Sequence, residues 1–225
     1  DNPDDEVRAY NDIYGKSGIR HLDSLYLWIL SLLDPHPGQT LLDVSTGEGT
    51  LVDFAIQRNL EACGIDFSMI ALQKGCDNYG LSALCASDAE SLPFPARSFD
   101  FITNIGSVEH YFEPKIAIQE MSRVLRQKGV ACILLPNTFS LFGNVQYAYR
   151  AGDVFDDGQP LQRYNTRMGW HRLLADNGLI PFRTVKYERE WPRTWRDYLW
   201  YLRRPSKLLK LLVSPLIPIN LANSI

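Results

Sequence analysis

Leu41-Leu42-Asp43-Val44-Ser45-Thr46-Gly47-Glu48-Gly49 is an apolar run that ends in an acid and then turns through small residues at 45, 47 and 49. Thr50-Leu51-Val52-Asp53-Phe54-Ala55 follows with a helical pattern. The layout is a strand, a tight loop and a helix N-terminus, which brings backbone N–H groups close to a nucleotide-like ligand. Small residues let the backbone approach without side-chain clash, and glycine takes conformations closed to other residues.

Spacing separates two cofactor classes. Dinucleotide loops follow G-x-G-x-x-G, whose last glycine permits close helix–strand packing. Counted from 45, that position here is Thr50, which argues against a nicotinamide oxidoreductase. The acid at 43 with small residues at 45, 47 and 49 resembles motif I of the class I S-adenosylmethionine-dependent methyltransferases, (D/E)-x-G-x-G-x-G. The departure is Ser45 in place of the first glycine. Asp43, Ser45, Thr46, Gly47 and Gly49 are the loop's candidate cofactor contacts.

Glu61-Ala62-Cys63-Gly64-Ile65-Asp66 reads as a second strand ending in an acid, 17 residues beyond Gly49. An acid there can accept both hydroxyls of a ribose; otherwise it caps a helix. Phe67 adjoins it, and Ser68 is the expected N-cap of a helix over 69–79. A third strand, about 83–86, leads into Ser87-Asp88-Ala89-Glu90. The resemblance implies that Asp88 faces the adenine amino group with Ser87 and Ala89 beside the ring. The other reading of Asp88 is a solvated loop acid.

A strand over 98–104 is followed by Ile105-Gly106-Ser107-Val108-Glu109-His110. Ile118, Met121, Val124 and Leu125 then share one helical face. That helix is expected over 116–126, with a stop at Gln127-Lys128-Gly129. Val130–Leu135 is apolar throughout, the mark of a buried parallel strand. The ordered set Leu92-Pro93-Phe94, Ser98-Phe99-Asp100, Glu109-His110, Glu120, Arg123-Val124-Leu125 and Gly129 is very similar to small-molecule methyltransferases of the ubiquinone/menaquinone-biosynthesis type. The similarity covers about 40–136. It implies that Asn104, Ile105 and Gly106 line the methionine end of the cofactor.

The expected fold is doubly wound α/β, with a mostly parallel seven-stranded-type sheet and helices on both faces. One domain is expected: N-terminal cap helices over 1–38, a cofactor-binding core over 39–135, a lid or substrate insertion over 136–165, and a C-terminal part over 166–225. Related enzymes cover the cofactor with an N-terminal helix, and Tyr14 is the residue here that would reach the methionine carboxylate; its alternative is packing against the sheet edge. A final hairpin pairs a strand at about 180–187 with one near 217–225, if the chain includes the second.

A chain of 225 residues that is 45% apolar can bury one sizeable core. A net charge of −3 carries no nucleic-acid signature. Four cysteines without a CxxC pair argue against a metal or disulfide framework, and no apolar run is long enough for a membrane span. A reducing, cytoplasmic setting follows. The stretch 189–213 complicates it: Arg189, Arg193, Arg196, Arg203, Arg204, Lys207 and Lys210 stand against Glu190 and Asp197 among tryptophans, tyrosines and leucines. That pattern suits a peripheral contact with anionic lipid, or a helix packed on the domain with its basic edge in water.

Methyl transfer is largely a matter of positioning, because the sulfonium is already activated. His110, just past a strand's C-terminal end, is the candidate general base; its alternative is packing or capping. No metal site is expected. The expected reaction is O-methylation of a sugar, polyketide or lipid-linked intermediate with S-adenosyl-L-homocysteine as coproduct. A non-catalytic binding or regulatory subunit on the same fold is the alternative.

Overall fold

Adjacent residues on a strand face opposite sides of a sheet, so apolar strands need a helix layer on each face. The computed structural model describes residues 3–156, 158–187 and 191–225, and it meets that need. On β1 (Thr40–Val44), Leu41 packs with one buried cluster while Leu42 and Val44 pack with another. Helices α2 (Asp23–Leu33) and α3 (Thr50–Ile56) cover the first face with Leu25, Ile29, Leu51 and Val52. Helices α5 (Pro114–Val124) and α7 (Arg167–Asp176) cover the second with Ile118, Met121, Trp170 and Leu174. Each such side chain, fully buried, contributes about 1.5–3 kcal/mol.

Strands β2 (Glu61–Asp66), β3 (Leu84–Ala86), β4 (Phe99–Ile105) and β5 (Leu125–Leu134) complete a five-stranded parallel sheet in the order β3-β2-β1-β4-β5. The chain runs outward from β1 to β2 and β3, then crosses back from β3 to β4 on the other side of β1 and continues to β5. The order therefore reverses between β1 and β4, where doubly wound sheets bind ligands. Two further strands, β6 (Lys186–Tyr187) and β7 (Asn223–Ser224), form an antiparallel pair. Ser224 bridges to Leu135 at the end of β5, so the hairpin continues the parallel sheet and its second strand falls within 217–225. Helix α4 is Met69–Tyr79, with Ser68 accepting from the Ala71 N–H as expected of an N-cap. Helix α1 (Pro3–Lys16) lies at the N-terminus, and α6 (Gln146–Ala151), α8 (Trp195–Leu202) and α9 (Pro205–Val213) lie toward the C-terminus. Arg189 and Glu190 of the basic stretch lie outside the described residues.

Three sequence expectations change. The helix expected to run to Arg126 ends at Val124, because Leu125 pairs with Phe99 and opens β5. Gly129 is then not a helix stop. A Cβ there would lie 2.9 Å from the Asp100 carbonyl oxygen, so the residue serves close strand approach. The strand expected over 180–187 is confined to Lys186–Tyr187; Pro181 within that run has no N–H to give a ladder. The insertion expected over 136–165 holds a π-turn over Leu141–Val145, followed by α6.

A cavity of about 870 Å³ runs along the outer edge of β5 beside Ile133, Leu179 and Phe182. It forms where the 180–185 segment stays off the sheet, and none of the acids of the glycine loop reaches it.

Candidate active site

Two buried acids hold the loop that follows β1. Asp43 accepts from the Thr46 hydroxyl (2.7 Å) and from the Thr103 hydroxyl of β4 (2.6 Å). Asp66, at the end of β2, accepts from the Gly47 N–H and the Ser68 N–H, each at 2.8 Å. Those donors favour the carboxylate, yet burial outweighs them and pushes both acids up to about 6. Gly47 and Gly49 sit at φ +57° and +73°, the left-handed region that costs other residues.

Ser45 lies there too, at φ +58°. Its hydroxyl is 2.7 Å from the Tyr111 hydroxyl, which also accepts from the Asn104 amide at 2.6 Å. A side-chain hydrogen bond thus offsets the strain that the missing glycine would have avoided. Tyr111 was not legible as a site residue, since its partners are 66 and 7 positions away in sequence. Asn104 is fully buried and donates to the Val44 carbonyl as well, but its Oδ1 has no hydrogen-bond partner among the described residues. An unmatched buried acceptor beside a crevice awaits a donor.

The crevice is lined by Asp43, Ser45, Thr46, Gly47, Asp66, Phe67, Ile105, Gly106 and His110, with Tyr14 from α1. Gly49 and Ser68 instead shape the loop as the N-caps of α3 and α4. Ser87, Asp88 and Ala89 do not line it. Asp88 is exposed and accepts from the Glu90 N–H (2.8 Å), while Ala89 is buried in the core.

His110 is buried, with Nδ1 2.8 Å from the Leu161 carbonyl oxygen and Nε2 4.0 Å from Glu109 Oε1. A carbonyl can only accept, so Nδ1 carries the proton and Nε2 is the ring's acceptor nitrogen in the neutral form. His171 is instead 2.8 Å from the Thr184 hydroxyl, beside the β5-edge groove.

Residues 42–133 match a family model described as a methyltransferase domain. A demethylmenaquinone methyltransferase of Renibacterium salmoninarum is 29% identical over 156 residues, 65% of this chain and 66% of that protein. A 2-methyl-6-phytyl-1,4-hydroquinone methyltransferase of rice, Oryza sativa subsp. japonica, is 34% identical over 105 residues, 45% of this chain and 32% of that protein. Residues 42–133 form a class I methyltransferase domain. The chain spans about two thirds or less of the length of these curated relatives. Among solved structures, a Haemonchus contortus phosphoethanolamine N-methyltransferase in complex with S-adenosyl-L-methionine superposes with a TM-score of 0.60 at 19% identity, over 92% of this chain and 47% of that one. It shares the fold.

Two segments outside the matched region close over the methyltransferase domain. From α1, Tyr14 is buried with its hydroxyl above the loop, where a Cβ on Gly47 would lie 2.5 Å from it. Asn11 accepts from the Ser68 hydroxyl, and Lys74 donates to the Tyr14 carbonyl. From the insertion, Arg163 donates to the Tyr111 and Phe112 carbonyls, and Gln159 accepts from the Tyr10 hydroxyl (3.2 Å). The space left is about 70 Å³, against roughly 300–1,000 Å³ for small-molecule sites. The donors and acceptors suit a nucleoside ligand, for which α1 and the insertion leave little room in this arrangement.

Glu6 of α1 also lines the crevice and was not legible as a site residue. Burial, then the neighbouring Glu90 and Asp88 carboxylates, push it up to about 7, against the pull of Arg163. The closed position thus favours protonated Glu6. Its contribution to closure is complete below the ordinary carboxylate value of 4.5 and is lost as pH rises toward about 7. Hydrogen exchange of α1 amides, corrected for intrinsic rate, is expected to quicken across that window. Glu6→Gln should flatten the profile; an unchanged profile would assign the opening to another group.

Proposed function

We propose that this chain binds S-adenosylmethionine in the crevice at the ends of β1, β2 and β4 and delivers its methyl group to a ring carbon of a hydroquinone-type acceptor. The observation that carries the reading is the Asp66 carboxylate, held by the Gly47 and Ser68 N–H groups beside a left-handed glycine loop. A ribose there can donate its hydroxyls to that carboxylate. The unmatched Asn104 Oδ1 suits a donor at the methionine end, and Tyr14 covers the same end of the loop. When bound, the cofactor supplies a methyl group on a sulfonium sulfur, which departs as a neutral thioether.

The names of the relatives favour a quinol over the sugar or polyketide expected from sequence. The site's chemistry is compatible with that choice. A phenolic ring carbon becomes nucleophilic when the ring hydroxyl loses its proton. His110 Nε2 can take that proton, with Glu109 4.0 Å away to stabilise the resulting imidazolium. Rearomatisation then releases the proton from the methylated carbon. Tyr111, Ser45 and Asn104 hold the crevice wall rigid around the transfer.

Calorimetric titration with S-adenosylhomocysteine, with NADH as control, tests the cofactor. A radiolabelled methyl assay against a reduced, prenylated quinone and against sugar acceptors tests the substrate. The expected outcome is saturable binding of the first nucleoside alone and label in the quinol ring. Label on a sugar oxygen would overturn the acceptor, and binding without transfer to any acceptor would favour the regulatory alternative.

A further inference from the structure

Helices α8 and α9 each bury one face and leave an apolar face in water. On α8, Asp197 and Tyr201 are buried, while Trp195, Tyr198 and Leu202 are exposed at i, i+3 and i+7, with Trp195 at 72%. Trp195 and Tyr198 stack on each other at 5.7 Å. On α9, Leu211 is buried, while Leu209, Leu212, Val213 and, a turn further on, Leu216 are exposed at i, i+3, i+4 and i+7. Leu209 stands at 63% and Leu216 at 81%. These are amphipathic spacings turned toward solvent rather than toward a core.

Charge on the same segment has one sign. Within 191–213 the cations are Arg193, Arg196, Arg203, Arg204, Lys207 and Lys210, and the sole acid is Asp197. That acid is buried and accepts from the backbone N–H and hydroxyl of Ser24 on α2. It therefore fastens α8 to the fold. Arg204 lies over the Trp200 ring at 4.5 Å, the pairing of basic and aromatic groups found at bilayer interfaces. No helix among the described residues is long and apolar enough to cross a membrane.

We propose that the exposed faces of α8 and α9 dock this chain on an anionic lipid bilayer, with the aromatics and leucines in the interface and the cations among the headgroups. Apolar area and headgroup attraction act together in such binding. The anchor is fixed close to the active site. Ser24 donates to Asp197 and accepts from the Arg193 N–H, and Tyr26, half a turn further along α2, lines the crevice. Lys210 joins α9 to the insertion through the Phe142 carbonyl and the Gln146 side chain. A chain bound by this face holds its crevice near the lipid surface, where an acceptor with an apolar tail resides.

The test needs no cofactor and no acceptor, so it stands or falls apart from the proposed reaction. The full chain is sedimented with vesicles of phosphatidylcholine containing phosphatidylglycerol, and with vesicles of phosphatidylcholine alone. Binding is expected to the anionic vesicles, to weaken with salt, and to fall about tenfold or more for Leu209→Ser with Leu212→Ser and for Arg196→Glu with Arg203→Glu. These side chains are exposed, so unchanged thermal unfolding is the control for folding. No binding to anionic vesicles would overturn the proposal, as would binding that both double variants retain. Dimerisation in light scattering that the leucine variant abolishes, without vesicle binding, would assign the face to a second copy of the chain.

Discussion

Asp66→Ala is expected to weaken S-adenosylhomocysteine binding by roughly 10²- to 10⁴-fold, since hydrogen bonds to a charged group contribute about 1.5–3 kcal/mol each and a ribose offers two. Turnover should fall with it. The same carboxylate receives the Gly47 and Ser68 N–H groups, so the loop loses its anchor and the cost lies at the upper end. Asp66→Asn keeps an acceptor oxygen and removes the charge, which separates the two contributions. A pH dependence follows with a definite sign. Hydroxyl donors favour the ionised carboxylate, and Asp66 in the closed chain sits at about 6. Affinity should therefore drop as pH falls below about 6, by up to about tenfold per pH unit. Glu6 acts in the same direction, because its protonation holds α1 shut over the crevice. Titrations of the Asp66 and Glu6 variants across that range divide the two effects. Affinity undiminished in Asp66→Ala would remove this acid from the cofactor site.

What was legible in the sequence is what local chemistry decides. The strand into Asp43, the loop, the α3 start, the Ser68 cap and the span of α4 follow from periodicity and capping within a dozen residues, and each stands where the pattern puts it. The five parallel strands follow from apolar runs that helices must cover on both sides. Long-range partners decided the rest. Ser45 reads as a defect in a glycine motif until Tyr111 is brought to it across β1 and β4. Leu125 satisfies a helical face equally well, and only its pairing with Phe99 makes it a strand residue. Asp88 matches the family spacing, yet in the closed chain Glu6 of α1 occupies that edge of the crevice and Asp88 stays outside it. No pattern in 1–20 announces that contact, because α1 earns its place by packing Tyr10 against Phe67 and Tyr14 against the glycine loop. The insertion was legible by length alone. That Leu161 would lend its carbonyl to His110 depends on a chain reversal at φ +48°.

Removing the base from His110 should lower kcat by about 10²- to 10⁴-fold, the usual contribution of general acid–base catalysis. The substitution matters because the ring has two tasks. Nδ1 donates to Leu161 and ties the insertion to the turn after β4, while Nε2 is the nitrogen able to accept a proton. Asparagine can place an amide N–H where Nδ1 stood and carries no basic nitrogen. His110→Asn should therefore keep S-adenosylhomocysteine affinity and thermal stability close to the parent while kcat collapses. Glutamine places its amide nearer the Nε2 position and releases Leu161, so His110→Gln should lose turnover and also loosen residues 159–163. Hydrogen exchange in that segment reads the second effect without reference to activity. If His110→Asn turns over like the parent, the histidine is a strap anchor only. Proton removal would then fall to the acceptor's own acidity or to Glu109, whose oxygen lies 4.0 Å from the ring.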